Sequence, residues 1–518
     1  MSAMSVAVLE LGPDPDPRFT SLVDKLRDLG ICVRFVIGHS SLSVPAAKHG
    51  AHFLDLRVAM RGGVIEDFWE RSDRVEINWD VLSEVDNRHA VQAVVARYYV
   101  PDEPSQMAGL RAFSAWLAYW HRAIADLSVD TVFFYASPHT VYAQALFFAA
   151  RAARARCRIL RHTSVDRMSY VAEDIYASLM NAIPVNGHMA RQAVHERVSA
   201  DIKRRQGGYA SARPDYTMSQ RNSNKAPEVD LALRAGTWLH RRATFRPHGG
   251  NATEATASYL TSAGGRLVFP DVLSVGTRWK HQRMRPRWLA IVASLGAKRR
   301  LLDAYKRAVQ ASPLSVNSSK PFFLFPWHFQ PERTTAPEAG RWVSMPNTTL
   351  ACCAAMPSDS DLLVREHIAQ LHVRFHGQIA RDATVYRSLQ RIDSRIQFGR
   401  LEDDIFELVD RASGVITATG TVGWEALSRG GTRVLCSSGA WYSGLPGTFH
   451  LDQLKGRESF FNDESCGHPA LSPTALSRAV AKLSDRIVEA PLHRNQDTLA
   501  DDDTIDVEAS RIAHAVAS

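Results

Sequence analysis

The sequence predicts an α/β protein built on two parallel β-sheets, and three observations lead to that prediction. Short β-rich runs alternate with amphipathic segments up to about residue 190, and the alternation returns after Pro321. This is the pattern of βα units around a parallel sheet. The chain has 518 residues, of which 45% are hydrophobic, so it can bury more than one core. We find no internal repeat of roughly 20–50 residues, which argues against a solenoid or a propeller.

The first half of the chain, residues 1–198, is predicted to form one α/β domain. Its strands are predicted at Ser5–Leu11, Ile31–Ile37, Val91–Tyr99, Asp130–Tyr135 and Arg158–His162. Its helices, which carry apolar residues at helical spacing, are predicted at Arg18–Leu29, Ser105–Asp126 and Thr140–Ala155.

The composition changes between residues 199 and 320, which we interpret as an inserted linking region. Its first part is polar and has no persistent period. Further on, positions 278–288 carry five Arg or Lys residues with two tryptophans interleaved. Such a stretch is suited to an anionic surface, so we expect contact with an anionic membrane there.

A second α/β domain is predicted over residues 321–490, followed by an acidic tail and a closing helix over 491–518. Its strands are predicted at Phe322–Phe329, Asp361–His367, Arg395–Phe398, Gly414–Thr419 and Arg433–Ser437. Its helices are predicted at Asn347–Ala355, Asp403–Ala412, Val422–Arg429 and Pro473–Val488.

Charge and composition exclude several classes of protein. The 62 Lys and Arg exceed the 54 Asp and Glu by only eight, too thin a surplus for a dedicated nucleic-acid binder. The six cysteines form no C-x-x-C pair, which favours reduced thiols. The N-terminus lacks the features of a signal peptide and no apolar stretch is long enough to span a bilayer. We therefore expect a cytoplasmic protein that binds no nucleic acid.

The segment from Gly414 to Tyr442 carries the clearest motif. A β-branched strand runs into Thr419-Gly420-Thr421, and a helix opens there. Exposed amides and the helix dipole at such a turn favour phosphate, and Glu425 in the first turn is well placed to accept from ribose hydroxyls. The alternative is that Thr421 is an ordinary N-cap and that Glu425 only complements the dipole.

A second motif, Pro326 to Thr335, follows the first strand of the second domain. His328 and Glu332 supply an acid/base pair there, and Arg333 supplies a cation for phosphate or carboxylate. A loop histidine beside a surface Glu–Arg pair is the alternative.

Leu363 to His367 ends the next strand. Arg365 and His367 share one face of an extended chain and are spaced to hold a diphosphate, while the intervening Glu366 points the other way. The alternative is that these residues belong to ordinary strand-end structure.

Two polar segments of the first domain, Ser137-Pro138-His139 and His162–Arg167, also follow strands. If the two sheets face each other, His139 lies across the cleft from the motifs of the second domain and is a candidate base for the second substrate. The alternative is that this segment only caps a helix through Ser137. The sequence has no H-E-x-x-H, no Walker lysine, no G-x-S-x-G and no full G-x-G-x-x-G. We therefore predict neither a metal site nor a bound cofactor.

These motifs resemble those of the capsular polysaccharide biosynthesis family, the Kps-type proteins that include retaining Kdo transferases. The matching stretches are PWHFQPERTT, LLVREH, GTVGWEAL with the later Gly439 and Tyr442, and FFYASPHTVYAQAL in the first half. Relatives carry Pro where this chain has Ile368, and often an acidic residue where it has Gln144.

The resemblance implies a GT-B-like fold, in which two Rossmann-like domains face a central cleft. It also implies roles for the residues singled out above. Arg365 and His367 would neutralise the phosphate of the leaving nucleotide, and His328 and Glu332 would lie near the transferred sugar. The nucleotide itself would be held by Thr419, Gly420, Thr421 and Glu425.

The function expected on these grounds is transfer of a sugar from a nucleotide donor, CMP- or UDP-linked, to a surface glycan of capsular or lipopolysaccharide type or to a lipid-linked acceptor. The partners are then the nucleotide sugar, the acceptor and the inner face of an anionic membrane. Two alternatives remain open: a nucleotide-sugar 2-epimerase of the same fold, and a non-catalytic component of capsule assembly and export.

Overall fold

The computed structural model describes residues 5–11, 16–56, 88, 91–92, 94, 103–207, 287–312, 320–330, 335–371, 381–430, 433–454, 461, 472–490 and 502–518. The strands and helices up to residue 206 are β1 Ser5–Glu10, α1 Pro17–Asp28, β2 Ile31–Gly38, α2 Ser43–Lys48, β3 His52–Asp55, α3 Glu103–Asp126, β4 Thr131–Phe134, α4 Val141–Ala152, β5 Arg156–His162, β6 Met168–Ala172 and α5 Arg191–Gln206.

The elements that follow residue 286 are α6 Arg287–Gln310, β7 Phe322–Pro326, α7 Met345–Ala355, β8 Asp361–Arg365, α8 Val385–Ile392, β9 Ile396–Phe398, α9 Ile405–Arg411, β10 Gly414–Ile416, α10 Thr421–Arg429, β11 Val434–Cys436, β12 Thr448–His450, α11 Pro473–Ala481, β13 Ile487–Glu489 and α12 Asp502–Ala517.

Two β-sheets organise these elements. The first has the order β13-β6-β5-β4-β1-β2-β3, in which β5, β4, β1, β2 and β3 run parallel and β6 is antiparallel to β5. The second has the order β12-β11-β10-β7-β8-β9 and is parallel throughout. The predicted fold class, α/β with two Rossmann-like domains, is confirmed.

The last strand differs from the prediction, which assigned residues 321–490 to the second domain and extended a helix through Val488. Helix α11 ends at Ala481, and β13 pairs with β6 at the edge of the first sheet. The physical reason is that Ile487 and Val488 are β-branched and fully buried in that sheet. The chain therefore returns to the first domain before residue 490.

Helix α12, which contains the predicted closing helix, also packs on the first domain. Asp506 accepts from the Ser21 hydroxyl at 2.5 Å and pairs with Lys25 at 2.8 Å, both on α1. Buried Glu508 contacts Arg18 at 3.5 Å.

Helix α5 crosses the predicted boundary at residue 198. Val194, Val198 and Ile202 recur every four residues and are buried with Trp424 and Leu427 of α10 in one apolar cluster. Each such side chain contributes about 1.5–3 kcal/mol when fully buried. One apolar core thus continues from the first domain into the second, on one face of the second sheet.

The linking region contains a helix that belongs to the second domain. On α6, Leu301 and Tyr305 are buried in the cluster on the other face of the second sheet. The basic stretch 278–288 falls outside the described side chains. The predicted strand Val91–Tyr99 also lies largely outside the described residues, and its described positions 91, 92 and 94 are helical. Among the described residues, no helix has the length and apolar content needed to cross a membrane.

Candidate functional site

The sequence-predicted residues of the second domain gather at one edge of its sheet. Strands β10, β7 and β8 are neighbours and run parallel, so the segments that follow them leave from the same side. His328 follows β7, His367 follows β8, and the turn Thr417–Gly420 follows β10. We call this side the carboxyl edge of the second sheet.

His328 links the loop after β7 to the turn after β10. Its Nε2 lies 2.9 Å from Thr417 Oγ1 and accepts from the Ala418 amide at 3.3 Å. The other nitrogen, Nδ1, then carries the hydrogen and donates to Thr335 Oγ1 at 3.0 Å. Burial is the main reason that the pKa of His328 is lowered to about 3, so the imidazole is neutral at physiological pH.

The turn after β10 requires glycine at position 420. A Cβ there would lie 2.8 Å from Thr417 Oγ1 and 3.1 Å from His328 Nε2. Gly420 is the N-cap of α10 and provides no side-chain cap, while its carbonyl accepts from the Tyr442 hydroxyl at 2.6 Å. The Tyr442 hydroxyl therefore holds the start of α10 through the Gly420 carbonyl. The N-cap residue has no side chain to bond the first amides of the helix, which is the arrangement that binds anions.

The remaining predicted residues of this turn have different surroundings. Thr419 is buried, Thr421 is exposed at the first position of α10, and Glu425 is half-buried on the side facing α5. Arg205 contacts Glu425 Oε1 at 3.3 Å. Burial raises the pKa of Glu425, and Arg205 opposes that shift.

Arg365 and His367 lie at the end of β8, as predicted, but Arg365 is turned towards the next loop. Its guanidinium donates to the carbonyls of Arg400, Leu401 and Asp403, at 3.2, 2.7 and 3.1 Å.

The His367 ring instead caps a short turn, because its Nδ1 accepts from the Ala369 amide at 3.1 Å. Burial lowers its pKa to about 4, with Arg365 and Arg381 adding to the shift. The neutral ring then carries its hydrogen on Nε2, which makes that atom a hydrogen-bond donor.

A buried ion pair that the sequence analysis missed connects the two histidine loops. Arg381 Nε donates to Glu366 Oε2 at 3.0 Å, with the two side chains 1% and 0% exposed. The same guanidinium donates to Gln330 Oε1 at 2.6 Å and to the His328 carbonyl at 3.3 Å. Glu366 does point away from Arg365, as alternation along the strand predicted, but no motif in the sequence indicated Arg381 as its partner.

In the first domain, the residues after β4 form the start of α4. His139 Nδ1 lies 2.8 Å from the Ser137 carbonyl, and the helix is capped by Thr140, which accepts from the Ala143 amide at 3.3 Å. The alternative that Ser137 caps this helix is therefore wrong. Nearby, at the end of β1, the Tyr142 hydroxyl donates to Glu10 at 2.6 Å. Burial raises the pKa of Glu10 to about 7, which no motif in the sequence had indicated.

The carboxyl edges of the two sheets meet through Arg161, near the end of β5. Its guanidinium pairs with Glu338 at 2.8 Å and donates to the Gly439 carbonyl at 2.8 Å. Glycine is required at 439, since a Cβ would lie 2.0 Å from the Glu338 carbonyl oxygen. Glu10 and His139 lie at the carboxyl edge of the first sheet, at the end of β1 and after β4, and His328 lies at that of the second, after β7.

The structure thus brings His328, Thr417 and Gly420 into contact and places Arg365 and His367 on the adjacent strand. His139 belongs to the opposite sheet, and Glu332 lies outside the described residues. The catalytic and binding roles of all these residues stay predictions. Within the described ranges, no three His, Cys, Asp or Glu side chains are grouped so as to hold a metal ion.

Comparison with known proteins gives only distant likenesses. No family model matches the chain, and no curated protein matches it. Among solved structures, a glycosyltransferase from Rickettsia africae is similar over 99% of both chains, with 9% identity and a TM-score of 0.25. KpsC, a beta Kdo 2,4 transferase of Thermosulfurimonas dismutans, is similar over 68% of this chain and 79% of its own, with 11% identity and a TM-score of 0.28.

A UDP-GlcNAc 2-epimerase from Methanocaldococcus jannaschii, in complex with UDP-GlcNAc and UDP, is similar over 93% of this chain and 99% of its own. The identity is 10% and the TM-score is 0.23. Likenesses this weak carry no argument about the activity of this chain.

Proposed function

We propose that this chain is a glycosyltransferase that takes a sugar from a nucleotide donor and transfers it to a glycan or lipid-linked acceptor. The observation that carries the proposal is the start of α10. It lies at the carboxyl edge of the second sheet, lacks a side-chain cap, and is held there by His328 and Tyr442. In open α/β sheets, ligands bind at this edge.

The start of α10 supports binding of the donor's phosphate. Its first amides and the helix dipole attract an anion. His367 Nε2, just beyond the end of β8 and two strands away from β10, is proposed as another donor. Charge that develops on the departing phosphate is stabilised by such preplaced donors, which lowers the barrier to transfer.

Glu425 supports recognition of the nucleoside. It lies one turn into α10, and an ionised carboxylate accepts hydrogen bonds from a pair of ribose hydroxyls. Its contact with Arg205 favours the ionised form.

The acceptor side is assigned to the first domain, whose carboxyl edge contacts the second through Arg161. There we place His139 as the candidate base for the acceptor hydroxyl.

His328 retains its predicted place near the transferred sugar. Because both of its ring nitrogens are engaged, its contribution in this conformation is to hold the turn that presents α10. The acceptor type, a capsular or lipopolysaccharide glycan, is supported by the motif resemblance alone.

Thermal shift against CMP, CDP, UDP and GDP tests the proposal. A nucleotide that binds the folded state stabilises it by about 2.7 kcal/mol at a hundredfold excess over Kd. Glu425→Gln should reduce the shift, whereas Glu407→Gln, on the exposed face of α9, is a matched control and should not. If no nucleotide raises the melting temperature of the wild type, the proposal fails.

Incubation of the matching sugar nucleotide then distinguishes reaction types. A transferase releases the nucleotide in an acceptor-dependent reaction. An isomerised sugar nucleotide formed without any acceptor would instead identify a 2-epimerase.

A further inference from the structure

We propose that Arg205, on helix α5, is a positioning residue that fixes the orientation and the charge of Glu425 on α10. This inference rests on the proposed function, since it assigns control of the nucleoside-binding carboxylate to a helix outside the nucleotide-binding turn. No sequence motif indicated Arg205, and its role follows from the contacts of its guanidinium.

The guanidinium of Arg205 is held in three directions. Nε donates to Asp201 Oδ2 at 2.7 Å, Nη1 contacts Glu425 Oε1 at 3.3 Å, and Nη2 donates to the Ser164 carbonyl at 3.2 Å. The side chain is only 6% exposed. A planar fork fixed at three points presents its charge to Glu425 in one orientation.

Asp201 holds the neighbouring residue of α10 as well. Its Oδ2 accepts from Trp424 Nε1 at 2.8 Å, so the Asp201–Arg205 pair contacts two consecutive residues at the start of α10. Trp424 is fully buried, which gives this contact little freedom. The first turns of α10 are therefore oriented by α5.

The charges around Glu425 make Arg205 the decisive cation. Asp201 lies close enough to disfavour a second negative charge, Thr421 donates to the carboxylate, and Arg429 on α10 acts more weakly than Arg205. Arg429 is itself paired with Asp410, and Arg204 pairs with the other oxygen of Asp201 at 2.5 Å. Without Arg205, Glu425 faces Asp201 with too little positive charge and takes up a proton more readily.

A protonated Glu425 loses one of its acceptor sites for ribose. Loss of Arg205 should therefore weaken nucleotide binding most at the low end of the pH range and spare it at high pH. Because a general loss of structure would weaken binding at every pH, the pH profile separates a positioning role from a merely structural one.

The experiment measures the Kd of the nucleotide identified by thermal shift, on the full chain, from pH 6 to pH 9. In Arg205→Gln, we expect the pH at which affinity falls to move upwards. Arg205→Lys should restore much of the wild-type profile, because it keeps the charge. Arg191→Gln, at the exposed start of the same helix, is the matched control, with the wild-type profile expected. A weaker affinity with an unshifted profile in Arg205→Gln would overturn the inference.

A second measurement needs no ligand. The melting temperatures of Arg205→Gln and of the double variant Arg205→Gln/Glu425→Gln are compared over the same pH range. Their difference should change with pH, since only the single variant retains a carboxyl at 425, and the change should occur at higher pH than in the difference between the wild type and Glu425→Gln. Changes at the same pH in the two comparisons contradict the inference. If this pH dependence is found but the wild-type chain binds no nucleotide, the proposed function falls and the control of Glu425 by Arg205 stands.

Discussion

The carboxyl edges of the two sheets are built differently. At the second edge, the loops after β7, β8 and β10 are tied to one another by His328 and by the Glu366–Arg381 pair. At the first edge, Glu10 is linked to Tyr142. Gln144, two residues further on, is fully buried and its amide has no hydrogen-bond partner among the described residues. The loops of the second edge are thus joined by side-chain hydrogen bonds, whereas at the first edge the buried Gln144 amide is unsatisfied within the described part of the chain.

The two edges also respond to pH in opposite directions. His328 and His367 have pKa values lowered from 6.5 to about 3 and about 4. Their contribution to stability is complete above pH 6.5 and is lost as the pH falls towards these values. The pKa of Glu10 is raised from 4.5 to about 7, so its contribution is complete below pH 4.5 and is lost as the pH rises to 7. Both edges favour neutral side chains, for the same reason of burial.

The largest expected effect comes from Arg381→Met, which removes the main cross-link of the second edge. It leaves the fully buried Glu366 carboxylate without its cation, which costs about 3–5 kcal/mol. It also removes the guanidinium that lies 4.6 Å from the Trp327 ring centre. Urea unfolding followed by tryptophan fluorescence should show a markedly lower midpoint.

Two variants make that measurement decisive. Arg122→Met breaks an exposed pair on α3 with Asp126, and should change the midpoint little, because such pairs contribute about 0.3–0.5 kcal/mol. Adding Glu366→Gln to Arg381→Met should recover part of the loss. If Arg381→Met and Arg122→Met behave alike, the second edge is not held by its buried pair.

A smaller effect is expected from Thr417→Val. The hydroxyl is buried between His328 Nε2, at 2.9 Å, and the Gly420 amide, at 3.1 Å, and its loss leaves buried polar groups unsatisfied at a cost of about 1–3 kcal/mol. Differential scanning calorimetry should show a lower melting temperature. The matched change Thr20→Val, at an exposed position of α1, should have almost none. Equal stability of the two variants would show that the His328 contact does not hold this turn.

The sequence predicted those features of the two edges that depend on residues close together in the chain. The strands that lead into the site were predicted close to their observed positions, because apolar alternation and the residues just beyond a strand are local features. The motifs therefore lie at the carboxyl edge of the second sheet, where the loops after β7, β8 and β10 meet, and Glu366 points away from Arg365 as the alternation predicted.

Partners distant in sequence were not predictable in this way. Arg381 and Glu366, or Arg205 and Glu425, are joined only by the fold, and a single sequence carries no signal of such pairing. The strand Ile487–Glu489 was missed for a related reason: its partner β6 lies more than 300 positions away. No sequence pattern singles out Glu10, because the Tyr142 hydroxyl that donates to it lies 132 positions away.

The last prediction concerns the pH response of the first edge. Glu10→Gln replaces a carboxyl that must lose its proton as the pH rises with an amide that keeps the same shape and still accepts from Tyr142. Between pH 4.5 and about 7 the wild type should therefore lose stability relative to the variant, by about 1.4 kcal/mol per pH unit at most. Urea midpoints measured for both proteins at intervals from pH 4.5 to pH 8 give the difference in their stability. His328 and His367 titrate in both proteins, so their effects cancel in this difference. A difference that stays flat over this range would mean that Glu10 titrates near its ordinary pKa and that the first edge is more hydrated than its burial indicates.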